Sequence, residues 1–154
     1  MQSPAWEGDW PISQYFGVNP AAYVRFGLAG HNGLDVAMPE GTTLYLPVAG
    51  KVTERLNDPG GWGYGYKLST PDGQDWLMAH FVYPAALKEG NEYDAGAIVG
   101  YSGSTGNSTG PHLHIGWRLF NASFYRGWPF NGYVDPRQVL DRLQGGLWPP
   151  PSNG

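Results

Sequence analysis

The chain has 154 residues, with 9 Lys plus Arg against 13 Asp plus Glu and a net charge of −4. That length favours one domain with a real core, and the acidic balance excludes phosphate-backbone binding as the main task. Charged residues at 14% and aromatics at 15% exclude a solvated disordered polymer, while 24 Gly and 14 Pro without a repeat exclude long helical bundles.

There is no cysteine, so disulfides and thiolate metal sites are excluded and any metal must sit on His and carboxylate. No apolar run approaches roughly 18 residues, so no membrane span is expected. The start, Met1-Gln2-Ser3-Pro4-Ala5-Trp6-Glu7, lacks a basic n-region and an apolar h-region, and no signal peptide is read there.

Residues 1–29 read as an aromatic extension packed on the domain, in which Tyr15, Phe16, Tyr23 and Phe26 cover a sheet edge, wall a cleft or simply pack. The main domain is read over 30–145. From Leu34 onward, short apolar stretches alternate with turn signals as in an all-β domain. The expected strands are Thr43–Leu46, Gly50–Leu56, Tyr64–Leu68, Asp75–Ala79, Ile98–Ser102 and His112–Leu119. Asp72-Gly73 predicts a two-residue hairpin between the third and fourth. One helix follows: Asp135 caps it, Pro136 suits its first turn, Val139, Leu140 and Leu143 share a face, and Gly145 ends it. Residues 146–154 form a Pro-rich tail, stiff or the start of a linker.

The four histidines are the most informative feature: His31, His80, His112 and His114. In a strand, residues i and i+2 share a face about 7 Å apart. His112 and His114 would then stand side by side, one to bind a metal and one to reach a metal-bound substrate. Ligands of one zinc lie about 2 Å from it, whereas four extended steps would separate His31 from Asp35 by about 13–14 Å. The chain must curl between them, and Asn32-Gly33 supplies the turn. Two imidazoles and a carboxylate with one open position make a catalytic zinc site; a closed structural site needs a fourth protein ligand.

These residues closely resemble the lysostaphin-like zinc endopeptidases that cut bacterial peptidoglycan peptides. His31-Asn32-Gly33-Leu34-Asp35 resembles the family's His-x-Gly-x-Asp element, followed by Pro39-Glu40-Gly41-Thr42, Pro47-Val48-Ala49-Gly50-Lys51-Val52 and Gly63-Tyr64-Gly65. Then come Met78-Ala79-His80, Gly96-Ala97-Ile98-Val99-Gly100 and the run from Ser104-Thr105-Gly106 to His112-Leu113-His114. The resemblance covers roughly residues 30–140. It implies an all-β, lysostaphin-like antiparallel sheet with a groove-borne metal site and one short C-terminal helix. It also implies that His31, Asp35 and His114 are zinc ligands and that His80 and His112 are the catalytic pair. The family commonly carries an acidic residue shortly after the second His of His-x-His; here Ile115-Gly116-Trp117 stands instead. That position is not a ligand by analogy, so the difference bears on packing or the cleft wall.

The expected function is zinc-dependent hydrolysis of peptide bonds in peptidoglycan cross-links or stem peptides. The expected partner is the peptidoglycan peptide, with no nucleic acid and no membrane, and the chain acts as a monomer. The expected place of action is the bacterial cell wall, reached from outside the cell or by phage delivery, as for an endolysin or antimicrobial hydrolase. His-Glu-x-x-His is absent, so His80 and His112 replace a helix-borne Glu in proton transfer. The loop Gly103–Gly110 lacks the phosphate-cradle pattern and reads as a flexible connection delivering the His112 strand. Trp62, Tyr64 and Tyr66 line a peptide groove or pack in a half-buried hairpin. Asn107-Ser108-Thr109 and Asn121-Ala122-Ser123 match the glycosylation pattern by chance. The alternatives are a related zinc peptidase trimming short wall peptides, a non-catalytic wall-binding or regulatory member of the same fold, and a carbohydrate binder using the aromatics. That last reading leaves the ordered histidines unexplained.

Overall fold

A computed structural model describes residues 4–119 and 129–143. In chain order the elements are β1 (Ile12–Gln14), α1 (Pro20–Tyr23) with a 3-10 turn (Val24–Phe26), β2 (Leu34–Val36), β3 (Thr43–Tyr45), β4 (Gly50–Asp58) and β5 (Gly63–Ser69). There follow β6 (Gln74–Phe81), β7 (Glu92–Tyr93), β8 (Ile98–Tyr101), β9 (Leu113–Leu119), β10 (Tyr133–Val134) and α2 (Arg137–Leu143). All strand pairs are antiparallel. The large sheet runs β1-β2-β9-β6-β5-β4-β7, with β10 also on β9, and β3 pairs β8 in a second small sheet.

The two faces of the large sheet differ because side chains alternate along each strand. One face carries Leu34, Val36, Tyr66, Leu68, Trp76, Met78, Leu113 and Ile115, all buried in the main core. Ala5 and Trp6 from the N-terminal stretch pack into the same core. Residues opposed in register share a face, so the other face carries Asp35, His114, Ala79 and Gly65 in one row. The next rows hold Gly116, Leu77 and Lys67, then Arg118, Asp75 and Ser69. This second face bears the candidate site.

The expected strands are all present, with shifted ends. β9 begins at Leu113 rather than His112, which instead donates its backbone N–H to the Gly103 carbonyl at 3.1 Å. The Asp72-Gly73 hairpin has a three-residue loop, not two. Thr70 N–H still bonds the Gln74 carbonyl at 2.9 Å, while Gly73 N–H closes a turn on the Thr70 carbonyl at 3.2 Å with φ +91°. Pro71 presets the first turn position, and the left-handed glycine then rejoins the ladder as a bulge. The short strands β1, β2, β7 and β10 and the turn of helix at Pro20–Tyr23 were not expected. Runs of two to four residues leave no periodicity to read.

The C-terminal helix begins as expected: the Asp135 carboxylate accepts the Arg137 backbone N–H at 3.0 Å, and Leu140 is buried in the core. The Leu143 side chain, the Gly145 stop, the tail over 146–154 and Asn121-Ala122-Ser123 lie outside the described residues.

Candidate metal centre

β2 and β9 bring Asp35 and His114 directly opposite one another. His114 Nδ1 lies 2.9 Å from Asp35 Oδ1. The curl through Asn32-Gly33 brings in His31, whose Nε2 lies 3.2 Å from the same Asp35 oxygen and 3.1 Å from His114 Nδ1. Glycine is required at 33: a Cβ there would stand 2.4 Å from the Ile115 carbonyl oxygen and 2.8 Å from the His114 ring. The three side chains are buried, and their ligand atoms lie within 4.8 Å of one another, a group able to hold a metal ion.

The donor set fits zinc on chemistry as well as spacing. His31 Nδ1 lies 3.1 Å from the Tyr15 backbone carbonyl, which can only accept. In neutral His31 this leaves the Nε2 lone pair turned to the cluster, the usual way an outer carbonyl orients a metal-ligating imidazole. His114 has the opposite arrangement. Its Nδ1 faces the cluster, and its Nε2 is buried without a hydrogen-bond partner among the described residues. The ring packs against Trp62 with centroids 4.9 Å apart. Three Lewis-basic atoms at this spacing, two imidazole and one carboxylate, suit a cation with N/O preference. Burial alone would raise the Asp35 carboxyl, yet the His114 and His31 imidazoles bonded to it hold it well below the usual carboxylate range. Burial pushes His114 below the usual imidazole range, against the pull of Asp35.

His80 and His112 complete the cluster. Their ring centroids are 4.7 Å apart, and His112 Nε2 lies 3.6 Å from the second oxygen of Asp35. Simple alternation would turn His80 to the core face, between Ala79 and Phe81. Instead Tyr64 pairs Phe81 and Gly65 pairs Ala79, which leaves His80 as an extra residue in a bulge. Its φ of +69° is the left-handed value that re-aims the side chain. Burial pushes His80 down to about 4, with the nearby His112 and His114 adding to the effect and the Thr105 carbonyl opposing it.

The loop between β8 and β9 does more than connect. The Thr105 carbonyl accepts the His80 Nδ1 proton at 2.7 Å, and the Gly110 carbonyl accepts that of His112 at 2.8 Å. The Thr105 hydroxyl donates to the Phe81 carbonyl at 2.6 Å and accepts Tyr64 N–H at 3.1 Å. Ser108 Oγ lies 3.2 Å from His112 Nδ1. One loop therefore fixes both imidazoles with Nδ1 engaged and Nε2 unencumbered. Sequence reasoning missed Thr105 and the Tyr15 carbonyl; a hydroxyl inside a glycine-rich loop was a signal for the first, and a backbone group carries none.

The aromatic residues divide. Tyr64 and Tyr66 pack toward the core, whereas Trp62 stands beside His114. Tyr23 lies beside the His31–Asp35–His114 cluster, its ring 5.3 Å from His31 and its hydroxyl donating to Gln14 at 3.3 Å. Gly116, within the Ile115-Gly116-Trp117 stretch that follows His114, lies beneath Tyr133: a Cβ there would meet the ring at 3.1 Å.

Residues 29–129 match the profile of peptidase family M23. The peptidoglycan DD-endopeptidase ShyA of Vibrio cholerae is 34% identical over 109 residues, covering 70% of this chain and 25% of ShyA. The chain spans about a quarter or less of the length of such curated relatives. The catalytic domain of the antimicrobial peptidase lysostaphin from Staphylococcus simulans superposes with a TM-score of 0.70 at 28% identity, covering 86% of this chain and 92% of that one. A zinc containing peptidase from Vibrio cholerae superposes with a TM-score of 0.65 at 27% identity, covering 77% of this chain and 36% of that one.

Proposed function

The chain belongs to peptidase family M23, and from that premise we propose that it is a zinc-dependent endopeptidase hydrolysing peptide bonds in bacterial peptidoglycan. The observation that carries this reading is the pairing of a His31–Asp35–His114 cluster with two further imidazoles, His80 and His112, both tethered through Nδ1. Under it His31, Asp35 and His114 hold the metal, and His80 and His112 act as the catalytic pair. Three protein ligands leave a coordination position open, as a catalytic site needs and a structural one does not.

Zinc held there supplies a Lewis acid for the scissile carbonyl and a water whose pKa falls to about 7. The chain's own residues do the rest. His80 is neutral near pH 7, and the Thr105 carbonyl keeps its proton on Nδ1, so its Nε2 is ready to accept one. His112, tied in the same sense by Gly110, turns Nε2 toward the Asp35 carboxylate and the cluster. The two imidazoles take the proton from the nucleophile and return one to the leaving amine. Trp62 walls the site on the His114 side.

The test is incubation of zinc-loaded protein with a panel of purified peptidoglycans. Release of new free amines, stopped by a chelator and restored by zinc, is the expected result. A lysozyme-like enzyme would release reducing sugar ends instead. Pelleting with every wall type but no amine release from any would replace the enzyme by a binding module.

A further inference from the structure

Two of the three proposed metal ligands are imidazoles, and they are held in different ways. His31 has the Tyr15 carbonyl at 3.1 Å on the ring nitrogen turned from the cluster. His114 has no such group. Its Nδ1 faces Asp35 and His31, so a neutral ring that offers Nδ1 to a cation carries its proton on Nε2. That nitrogen is buried and has no hydrogen-bond partner among the described residues. Gly116, two residues along β9 and on the same face, offers no side chain to accept the proton. A Cβ at Gly33 would stand 2.8 Å from Nε2, so this edge of the ring lies against backbone. A metal-ligating imidazole is ordinarily oriented by an acceptor on its second nitrogen. His114 must be oriented by something else.

The contact on that ring is Trp62. The indole and imidazole centroids are 4.9 Å apart with planes tilted by 41°, as close as the rings of His114 and His31. The indole is itself anchored. The Trp62 backbone N–H donates to Asp58 Oδ2 at 3.1 Å, and its carbonyl accepts the His80 N–H at 2.9 Å. The preceding carbonyl, that of Gly61, accepts the Asn107 N–H at 2.7 Å. Leu56, Gly65, Ala79 and His114 form one row across β4, β5, β6 and β9. Trp62 packs on Leu56 and Ala79 of that row and on the neighbouring Leu77. Gly65, between them, adds no side chain to the row.

We propose that Trp62 is a positioning residue of the metal centre: packed along this row, its indole holds the His114 ring with Nδ1 toward Asp35 and so sets the affinity for the metal. The proposal rests on the reading of His114 as a ligand. Ring contact does for His114 what the Tyr15 carbonyl does for His31. Without the indole, the imidazole can tilt from the cluster, because no hydrogen bond on its far side restrains it.

The experiment measures zinc affinity by competition with a chromogenic chelator, and the Tm of the metal-free protein beside it. Trp62→Leu, which keeps an apolar side chain on the row but removes the ring, should weaken zinc binding roughly tenfold or more. Trp62→Met should do the same and serves if the first variant does not fold, while Trp62→Phe should restore most of the affinity. Leu56→Ala is the control for a merely structural role: it should lower the Tm and leave zinc affinity unchanged. Unaltered affinity in the folded ringless variants, a loss in Trp62→Phe as large as in Trp62→Leu, or an equal loss in Leu56→Ala would overturn the proposal. Amine release from peptidoglycan by wild-type protein, with affinity unaltered in the variants, removes the positioning role and leaves the endopeptidase. Weakened zinc binding in the variants without amine release by the wild type does the reverse.

Discussion

His80 and Thr105 are joined twice: the Thr105 carbonyl holds the His80 ring at 2.7 Å, and the Thr105 hydroxyl holds the carbonyl of the next residue, Phe81, at 2.6 Å. The hydroxyl thereby locks the bulge that turns His80 to the face carrying the candidate site. Thr105→Val keeps the shape but strands the Phe81 carbonyl and the Tyr64 N–H, at a cost of about 1–3 kcal/mol in stability. Turnover should fall roughly tenfold through misplacement of His80, with zinc content unchanged and Thr105→Ser largely restoring activity. Metal analysis beside kcat and KM checks this; a loss confined to KM would count against it.

The three proposed metal ligands should behave as one unit. Wild-type protein is expected to carry about one zinc per chain, and alanine at His31, Asp35 or His114 to lower metal content and activity together. Elemental analysis after dialysis decides the matter. An Asp35→Ala protein that stays fully loaded would mean the ligand set is wrong.

His80 and His112 should separate chemistry from metal. Replacing either with Ala is expected to leave zinc bound and to cut turnover by roughly 100-fold or more. If His112→Ala lost zinc while His114→Ala kept it, the two roles would have to be exchanged.

Much of this site was legible in the sequence, and the reasons it was not wholly so are local. His112 and His114 sit two residues apart and stand on one side, as their spacing implied, and the structure brings both near Asp35. The curl at Asn32-Gly33 was also readable, because a shared ion forbids an extended path from His31 to Asp35. His80 was not placed by pattern, since a period of two turns it to the core and only the bulge opposite Tyr64 and Gly65 corrects that. The loop over 103–110 read as a flexible connection because its contribution is made by carbonyls and one hydroxyl. β2 escaped notice because three residues carry no alternation, although its pairing with β9 sets the whole centre.

Gly33 should prove intolerant. The Cβ of Gly33→Ala would press on the His114 ring at 2.8 Å and on the Ile115 carbonyl at 2.4 Å. The expected phenotype is weaker zinc affinity by roughly tenfold or more, read by competition with a chromogenic chelator. Unaltered affinity in a folded Gly33→Ala protein would mean that β2 and β9 move apart freely.

Acid should destabilise the metal-free protein through His80. Its folded value of about 4 lies below the ordinary 6.5, so the unfolded chain binds the extra proton first. Stability is therefore intact above about pH 6.5 and falls as the pH drops toward 4, by about 2 kcal/mol at pH 5. In chelated protein, His80→Asn, which accepts the left-handed backbone, should show a shallower fall in Tm between pH 7 and 5. Parallel Tm curves for the two proteins would remove His80 as the cause.

The pairing of Asp35 with His114 joins positions 79 residues apart in the chain. During synthesis, the first two candidate ligands therefore emerge long before the third, and no amino-terminal fragment ending before β9 can assemble the centre. Because the ligands belong to paired strands, a slip of one residue between β2 and β9 would turn Asp35 away from His114 and dismantle it. Under the proposed function, hydrolytic competence is thereby withheld from nascent and misregistered chains until the fold is complete.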